Sequence, residues 1–285
     1  MKVLLLGASG MLGSMLYKQL VTDVRYDVAG TVRSSAVKKY FNDKELSKLI
    51  YGVDVLESDS LLSLLNDVRP DVVINCVGLI KQVATANDPL KVLPVNSLLP
   101  HRLCNLCELI GARLIHISTD CVFSGHIGGY TEDSISDSED LYGKSKFIGE
   151  VIESSSAITL RTSIIGHELS SNKSLIDWFL SQQGSIKGYS KAVFSGLPTV
   201  ELARVIMDYV LPNPELHGLY HVSSEPINKE ALLRLVANQY EKTINIVPDD
   251  SLVIDRSLIS NKFKRATGYT APAWDVLIKQ MFDNK

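Results

Sequence analysis

Tyr142 and Lys146 stand four residues apart in Leu141-Tyr-Gly-Lys-Ser-Lys146-Phe-Ile-Gly149-Glu150. If this stretch opens a helix, residues i and i+4 share a face, and the phenol lies beside the ammonium group. A free phenol has a pKa of about 10 and is a poor acid or base at neutral pH. A positive charge beside it favours the phenolate and lowers that value. Thr119, in Ser118-Thr119-Asp120-Cys121-Val-Phe123-Ser-Gly125, adds a hydroxyl that can hold a substrate oxygen against the phenol. The chemistry these three groups fit is hydride transfer to a carbonyl, with Tyr142 delivering the proton. Taken alone, the Tyr and Lys spacing is also that of an ordinary surface helix, so the case rests on the elements that position them.

The first of those elements opens the chain. Lys2 to Leu6 is a short apolar run, Gly7, Gly10 and Gly13 follow at spacings of three, and Met11 to Leu20 carries apolar residues at helical intervals. The pattern is strand, tight turn, helix. Backbone N–H groups at the helix start are unpaired and sit at the positive end of the dipole, where a pyrophosphate can bind. Gly7 permits the turn, Gly10 lets backbone approach phosphate, and Gly13 lets helix and strand pack closely. Ser9, Met11 and Leu12 complete the expected phosphate-binding turn.

A second strand runs from Tyr26 into Arg33-Ser34-Ser35. In dinucleotide folds an acidic residue at this strand end binds the ribose of NAD, whereas an arginine nearby pairs with the 2′-phosphate of NADP. No Asp or Glu follows Val28 until Asp43, and the planar, permanently charged guanidinium of Arg33 suits a phosphate. Val53-Asp54-Val55 is read as ending a third strand, with Asp54 either accepting from the adenine amino group or serving a turn. Asp71 to Gly78 is a continuously apolar fourth strand, as burial on both faces requires. It ends in Cys76, Val77 and Gly78, small residues past which a nicotinamide ribose can lie. Pro94 to Ile110 is helical, Arg113 to Ser118 is a fifth strand, and Thr119 falls at its carboxyl end. The acidic, turn-rich segment from Gly128 to Leu141 is expected to be a surface loop over the site. Strand and helix alternate, which predicts a parallel sheet covered on both faces.

Composition is consistent with this picture. The chain has 285 residues, 45% hydrophobic and 21% charged, with a net charge of −3. That balance gives no electrostatic case for a nucleic acid or an anionic membrane as partner. No apolar run approaches the roughly 18 residues of a membrane span. With a core strand directly after Met1, the expectation is a cytoplasmic protein. Cys104 and Cys107 form a C-x-x-C without a second ligand pair, so they read as the buried face of a helix, with Leu103 and Ile110, rather than a zinc site.

Together these pieces resemble the extended short-chain dehydrogenase/reductase family, through Gly7-x-x-Gly10-x-x-Gly13, Ser118-Thr119-Asp120-x-Val122-Phe123-x-Gly125 and Tyr142-x-x-x-Lys146 with Gly149-Glu150. The Ser-Thr-Asp-x-Val-Phe form, with Leu160-Arg-Thr-Ser163 and Gly196-Leu-Pro-Thr199, looks most like the dTDP-4-dehydrorhamnose reductases. Those enzymes reduce the 4-keto group of a nucleotide-linked 6-deoxysugar. The resemblance covers most of the chain and thins after about Val222. It implies Thr119, Tyr142 and Lys146 as the catalytic triad, with Tyr142 and Lys146 also touching NADP(H). It places Asp120 and Cys121 beside Thr119 and Tyr142 on the substrate side. Two departures stand there: Cys121 where the subfamily usually has Tyr, and Ile164 where it has Trp, so the sugar need not be the rhamnose precursor. Some members hold magnesium at a dimer contact, but no local ligand motif carries that over.

The implied architecture is an α/β, Rossmann-type doubly wound parallel sheet with a smaller C-terminal substrate lobe. Residues 1–165 would form the dinucleotide-binding domain, with about 195–223 returning to it, and 166–194 and 224–285 the lobe. In the second half, Ile158 to Ile165 reads as a sixth strand and Gly218 to Val222 as a seventh. Ser174 to Gln183, Val200 to Leu211, Lys229 to Tyr240 and Ala273 to Met281 read as helices, with Trp178 in the core and His167 structural. The expected activity is NADPH-dependent reduction of a nucleotide-diphosphate keto-sugar, in a possible homodimer. An epimerase or dehydratase of the same fold, and a non-catalytic NADP-binding regulatory subunit, are the alternatives. The first is disfavoured by Arg33, and the second predicts a degraded triad, which Thr119, Tyr142 and Lys146 are not.

Overall fold

A computed structural model describes residues 1–81 and 87–285 of the chain. The main sheet has seven strands: β1 (Lys2–Leu6), β2 (Asp27–Val32), β3 (Leu49–Tyr51), β4 (Val72–Asn75), β5 (Arg113–Thr119), β6 (Ala157–Thr162) and β7 (Gly218–His221). Their spatial order is β3-β2-β1-β4-β5-β6-β7. Every neighbouring pair is parallel. The winding reverses between β1 and β4, so the connections leave these two strands toward opposite faces. A crevice opens there, outside the carboxyl ends.

Successive strand residues point to opposite faces, and two apolar layers result. Val3 and Leu5 of β1 pack with Leu12, Leu16, Tyr17 and Leu20 of helix α1 (Met11–Thr22). Leu4 and Leu6 pack with Leu61 and Leu65 of α2 (Ser58–Val68) and Leu103 and Cys107 of α3 (Leu99–Ile110). Each fully buried leucine contributes about 1.5–3 kcal/mol through the apolar area it removes from water. Helix α4 (Leu141–Ile148) follows β5 and begins on Asp140, whose carboxylate accepts from the Gly143 amide at 2.8 Å.

The second half adds β7 to the main sheet, and its other strands form small separate sheets. Helices α5 (Leu175–Ser181), α6 (Thr199–Val205), α7 (Lys229–Gln239) and α8 (Trp274–Asp283) contribute to the same core as α1. Ala192–Phe194 pairs with Ile227–Asn228 and Ile254–Asp255, and Ser185–Tyr189 pairs with Asn245–Asp249. These short strands bring residues far apart in sequence to one wall.

Several expected boundaries move. The sixth strand stops at Thr162, and Ile164–Ile165 leave the sheet to pair with Leu197–Pro198. The helix expected from Pro94 begins at Pro89 and runs through a wider turn at Pro94–Leu98 into α3, because Pro94 lacks the amide that an α-helical turn needs. Ile110 is 46% exposed rather than on the buried face with Leu103, Cys104 and Cys107, since α3 ends there, with Gly111 as its left-handed cap. Trp178 is 39% exposed and not in the core, where α5 presents Ile176 and Phe179 instead. No helix among the described residues is long and apolar enough to cross a membrane.

Candidate active site

One cavity of about 800 Å³ runs from the turn after β1, past the ends of β4 and β5, to the short strands of the second half. Ser9, Gly10, Met11, Leu12 and Arg33 line its first part. Gly7 takes φ +86°, a left-handed conformation that favours glycine, and a β-carbon on Gly13 would lie 2.1 Å from the Gly7 carbonyl oxygen. Gly7 and Gly13 therefore shape the turn from behind and do not line the cavity. Gly10 caps α1 with no side-chain hydrogen bond, and the first turn of α1 has no acidic residue. The amides there are free of a competing carboxylate, which is what a pyrophosphate needs. Arg33 directly follows β2, is exposed, and forms no ion pair among the described residues. The cradle fits a dinucleotide carrying an extra phosphate.

Asp54 and Val55 do not line this cavity. They lie beyond β3, which ends at Tyr51. The Asp54 carboxylate instead accepts from the Leu56 amide at 2.9 Å, closing a turn. Of the two readings of Asp54, this hydrogen bond supplies the turn.

The middle of the cavity holds the end of β4, with Cys76, Val77 and Gly78, and the end of β5, with Thr119, Asp120 and Cys121. Tyr142 and Lys146, on α4, complete this part. Lys146 is buried, and its Nζ donates to the Ile117 carbonyl at 2.7 Å. Burial pushes its ammonium down to about 8, against the opposing pull of Glu150. Burial also pushes the Tyr142 phenol well above its ordinary range, with Cys121 and Asp120 acting the same way and Thr119 opposing. The expected lowering of this phenol by Lys146 is therefore not what governs it; desolvation is the larger effect. A phenol held protonated is in the form that donates a proton. The Thr119 hydroxyl accepts from the Cys121 amide at 3.2 Å and donates to Asp120 Oδ1 at 3.2 Å.

Asn96 supports this arrangement from below. It is buried, accepts from the Leu79 amide at 2.9 Å, and donates to the Leu79 carbonyl at 3.0 Å and to Ser145 Oγ at 3.1 Å. One amide thus joins the loop after β4 to α4.

The last part of the cavity is lined by Ile164, Glu168, Phe194, Lys229 and Arg256, among others. The Lys229 ammonium lies 3.7 Å from the centre of the Phe194 ring. Arg256 donates through Nε to the Phe123 carbonyl at 2.8 Å and faces Cys121 Sγ at 3.8 Å. Neither cation forms an ion pair among the described residues, and the buried Asp120 carboxylate lies within their field, its pKa raised by burial. Burial pushes the Cys121 thiol up to about 12, so it is neutral here. Lys229 and Arg256 escape sequence reasoning because no local pattern marks them; the short strands and a helix start of the second half deliver them.

One expectation is not met. The segment 128–140 does not line the cavity: Tyr130 stacks on Phe123 at 4.0 Å and Glu132 accepts from the His221 amide at 2.8 Å, so the loop packs beside the site rather than over it. His167 lies between Asp177 (Nδ1 at 2.6 Å) and the Tyr240 hydroxyl (Nε2 at 2.8 Å), a scaffold within the second half. Among the described residues no group of three or more His, Cys, Asp or Glu side chains could hold a metal ion.

Known proteins resemble this chain along its whole length. The family described as RmlD substrate binding domain matches residues 1–284. A dTDP-4-dehydrorhamnose reductase of Aggregatibacter actinomycetemcomitans is 26% identical over 234 residues, 79% of this chain and 74% of that one. Methionine adenosyltransferase 2 subunit beta of Mus musculus is 30% identical over 149 residues, so the match spans 52% of this chain and only 41% of that subunit. Among solved structures, a dTDP-4-dehydrorhamnose reductase of Bacillus anthracis in complex with NADP superposes with a TM-score of 0.81 at 20% identity, covering 100% of this chain and 99% of that one.

Proposed function

For a chain that belongs to the RmlD substrate binding domain family, we propose NADPH-dependent reduction of the 4-keto group of a nucleotide-activated 6-deoxysugar. One observation carries this reading. Thr119, Tyr142 and Lys146 stand at the carboxyl ends of the sheet in the same cavity as the glycine turn and Arg33. The likeness to reductases of that name, one of them solved with NADP, supports it.

The turn Ser9–Leu12 would hold the pyrophosphate of the cofactor, and Arg33 its 2′-phosphate. Cys76 to Gly78 would pass the nicotinamide ribose, with Lys146 donating to it. When bound, NADPH supplies the hydride. The protein's own part is to orient the ketone and provide the proton. With the Thr119 hydroxyl turned from Asp120 to the substrate, Thr119 and Tyr142 would place two hydroxyls where one carbonyl oxygen can accept from both, polarising it and giving the proton a short path from the phenol. The Lys146 charge, 2.7 Å from the Ile117 carbonyl, stabilises the phenolate left behind.

The diphosphate of the substrate would lie against Lys229 and Arg256, which carry no carboxylate partner among the described residues. Holding the distant diphosphate positions the ketone, and positioning of this kind supplies much of the rate. Cys121 and Ile164 leave smaller walls than the Tyr and Trp of the resembled reductases, which favours a sugar bulkier than the rhamnose precursor.

The experiment is NADPH oxidation by the wild-type protein against nucleotide 4-keto-6-deoxysugars with and without a 2-acetamido group. Turnover of at least one supports the proposal. Tight NADPH binding with no turnover of any would favour the second reading, a non-catalytic NADP-binding subunit, for which the likeness to methionine adenosyltransferase 2 subunit beta is the supporting observation.

A further inference from the structure

Gly149-Glu150 directly follows the catalytic helix, and the chemistry above makes no use of it. Gly149 runs so close to the helix before α3 that a β-carbon there would sit 1.9 Å from the Asn96 carbonyl oxygen. Glu150 is only 7% exposed, an unfavourable place for a carboxylate unless it is fully partnered. Both of its oxygens are engaged. Oε1 accepts from Ser118 Oγ at 2.6 Å and from Arg161 Nε at 2.7 Å, and Oε2 accepts from Arg161 Nη2 at 2.6 Å. Arg161 is itself 3% exposed, and its guanidinium lies 5.2 Å from the centre of the Phe123 ring.

Ser118 stands between Ile117, whose carbonyl takes the Lys146 ammonium, and Thr119, whose side chain lines the site. Two adjacent residues of β5 therefore hold two groups of α4 and its end, four residues apart: Ile117 holds Lys146, and Ser118 holds Glu150. We propose that Glu150 is a positioning residue for the reductase site, fixing through Ser118 and Arg161 the register of α4 on β5 and so the placement of Tyr142 and Lys146 against Thr119. The proposal rests on the ketoreductase reading. A helix end could be held as firmly by apolar packing, which is often no less stable than a buried ion pair. What the charged set adds is geometric specificity at one strand end, and a negative charge near the Lys146 ammonium. Glu150 faces that ammonium from its own helix, Cys76 from the end of β4 and His116 from β5, while Tyr142 lies one turn back; Arg161 and His221 stand behind Glu150. Burial holds His116 neutral, so Glu150 is the charge that opposes the desolvation of Lys146.

The test uses Ser118→Ala and Glu150→Gln in the full chain. For each, melting temperature is measured, with NADPH affinity by fluorescence across pH and kcat and KM for the keto sugar. Ser118→Ala leaves the Glu150–Arg161 pair intact, so it should fold, keep the wild-type NADPH affinity near neutral pH and the sugar KM, and lose about tenfold or more in kcat, as misplacement of reacting groups does. Glu150→Gln should lose at least as much kcat and move the alkaline midpoint of NADPH affinity to lower pH. Wild-type kcat in Ser118→Ala, or in a folded Glu150→Gln with an unmoved midpoint, overturns the proposal. If Glu150→Gln does not fold, Ser118→Ala decides alone. If the wild-type protein reduces no keto sugar, the reductase reading fails separately, and the NADPH midpoint decides: moved supports the role of Glu150, unmoved overturns it.

Discussion

Gly13 approaches Gly7 so closely that a β-carbon on it would lie 2.1 Å from the Gly7 carbonyl oxygen, whereas one on Gly10 would lie at an ordinary 3.5 Å from the same atom. Two glycines of one turn thus serve different ends. Gly13→Ala must push α1 off β1, at a cost of about 1–3 kcal/mol for overpacking, and should lower the melting temperature by several degrees. Gly10→Ala should melt near the wild-type temperature yet bind NADPH more weakly, because its methyl occupies the phosphate approach. Thermal melts paired with cofactor titrations check this; equal melting temperatures for the two variants would contradict it.

Arg33→Ala separates the two cofactors. A charge-assisted contact is worth roughly 1.5–3 kcal/mol, so loss of the guanidinium should weaken NADPH by about ten- to a hundredfold. NADH affinity should hardly change. Calorimetry with both cofactors reads the difference, and an equal loss for both would remove Arg33 from the 2′-phosphate.

The order of elements and most of the site are legible in the residues themselves, because each strand end is short and its chemistry is local. The turn from Gly7 to Gly13, Arg33 after β2, and Tyr142 with Lys146 on one helix all follow from spacing within a few residues. Asp54 stays two-sided in the residues because an Asp at a strand end serves a turn as readily as a ligand, and here its carboxylate takes the Leu56 amide. Trp178 misleads because α5 is short and buries Ile176 and Phe179 instead. Lys229 and Arg256 are not legible at all: each reaches the cavity through pairings of two- and three-residue strands whose partners lie tens of residues away. The direction of the Tyr142 shift is also hidden, since spacing shows the ammonium but not the burial that outweighs it.

Tyr142→Phe keeps the ring's packing and removes the proton donor. Turnover should fall by at least about a hundredfold while NADPH still binds. Thr119→Val should lower turnover with less effect on NADPH, and Lys146→Met should lower turnover and weaken NADPH together. Single-turnover reduction and cofactor fluorescence on each variant give the answer, and near-wild-type turnover in Tyr142→Phe would assign the proton to another group.

The pH profile follows from Lys146. Its ammonium, pushed down to about 8, is charged below that value and loses its proton above it. The Tyr142 phenol is pushed up and stays protonated through the same window. The alkaline limb of kcat/KM, which reports the free enzyme, should therefore fall through about pH 8. A profile flat to about pH 10 would show that the Lys146 charge is not required.

Hydride transfer to the sugar carbon by way of the Thr119, Tyr142 and Lys146 site can be followed with isotope. The most direct measurement incubates the protein with NADPH deuterated at nicotinamide C4 and a nucleotide 4-keto-6-deoxysugar, and locates the label in the product by mass spectrometry and NMR. The expected result is one deuterium at C4 of a reduced sugar from one face of the cofactor, with one NADPH oxidised per sugar. Unlabelled sugar and unoxidised cofactor, with NADPH firmly bound, would contradict it.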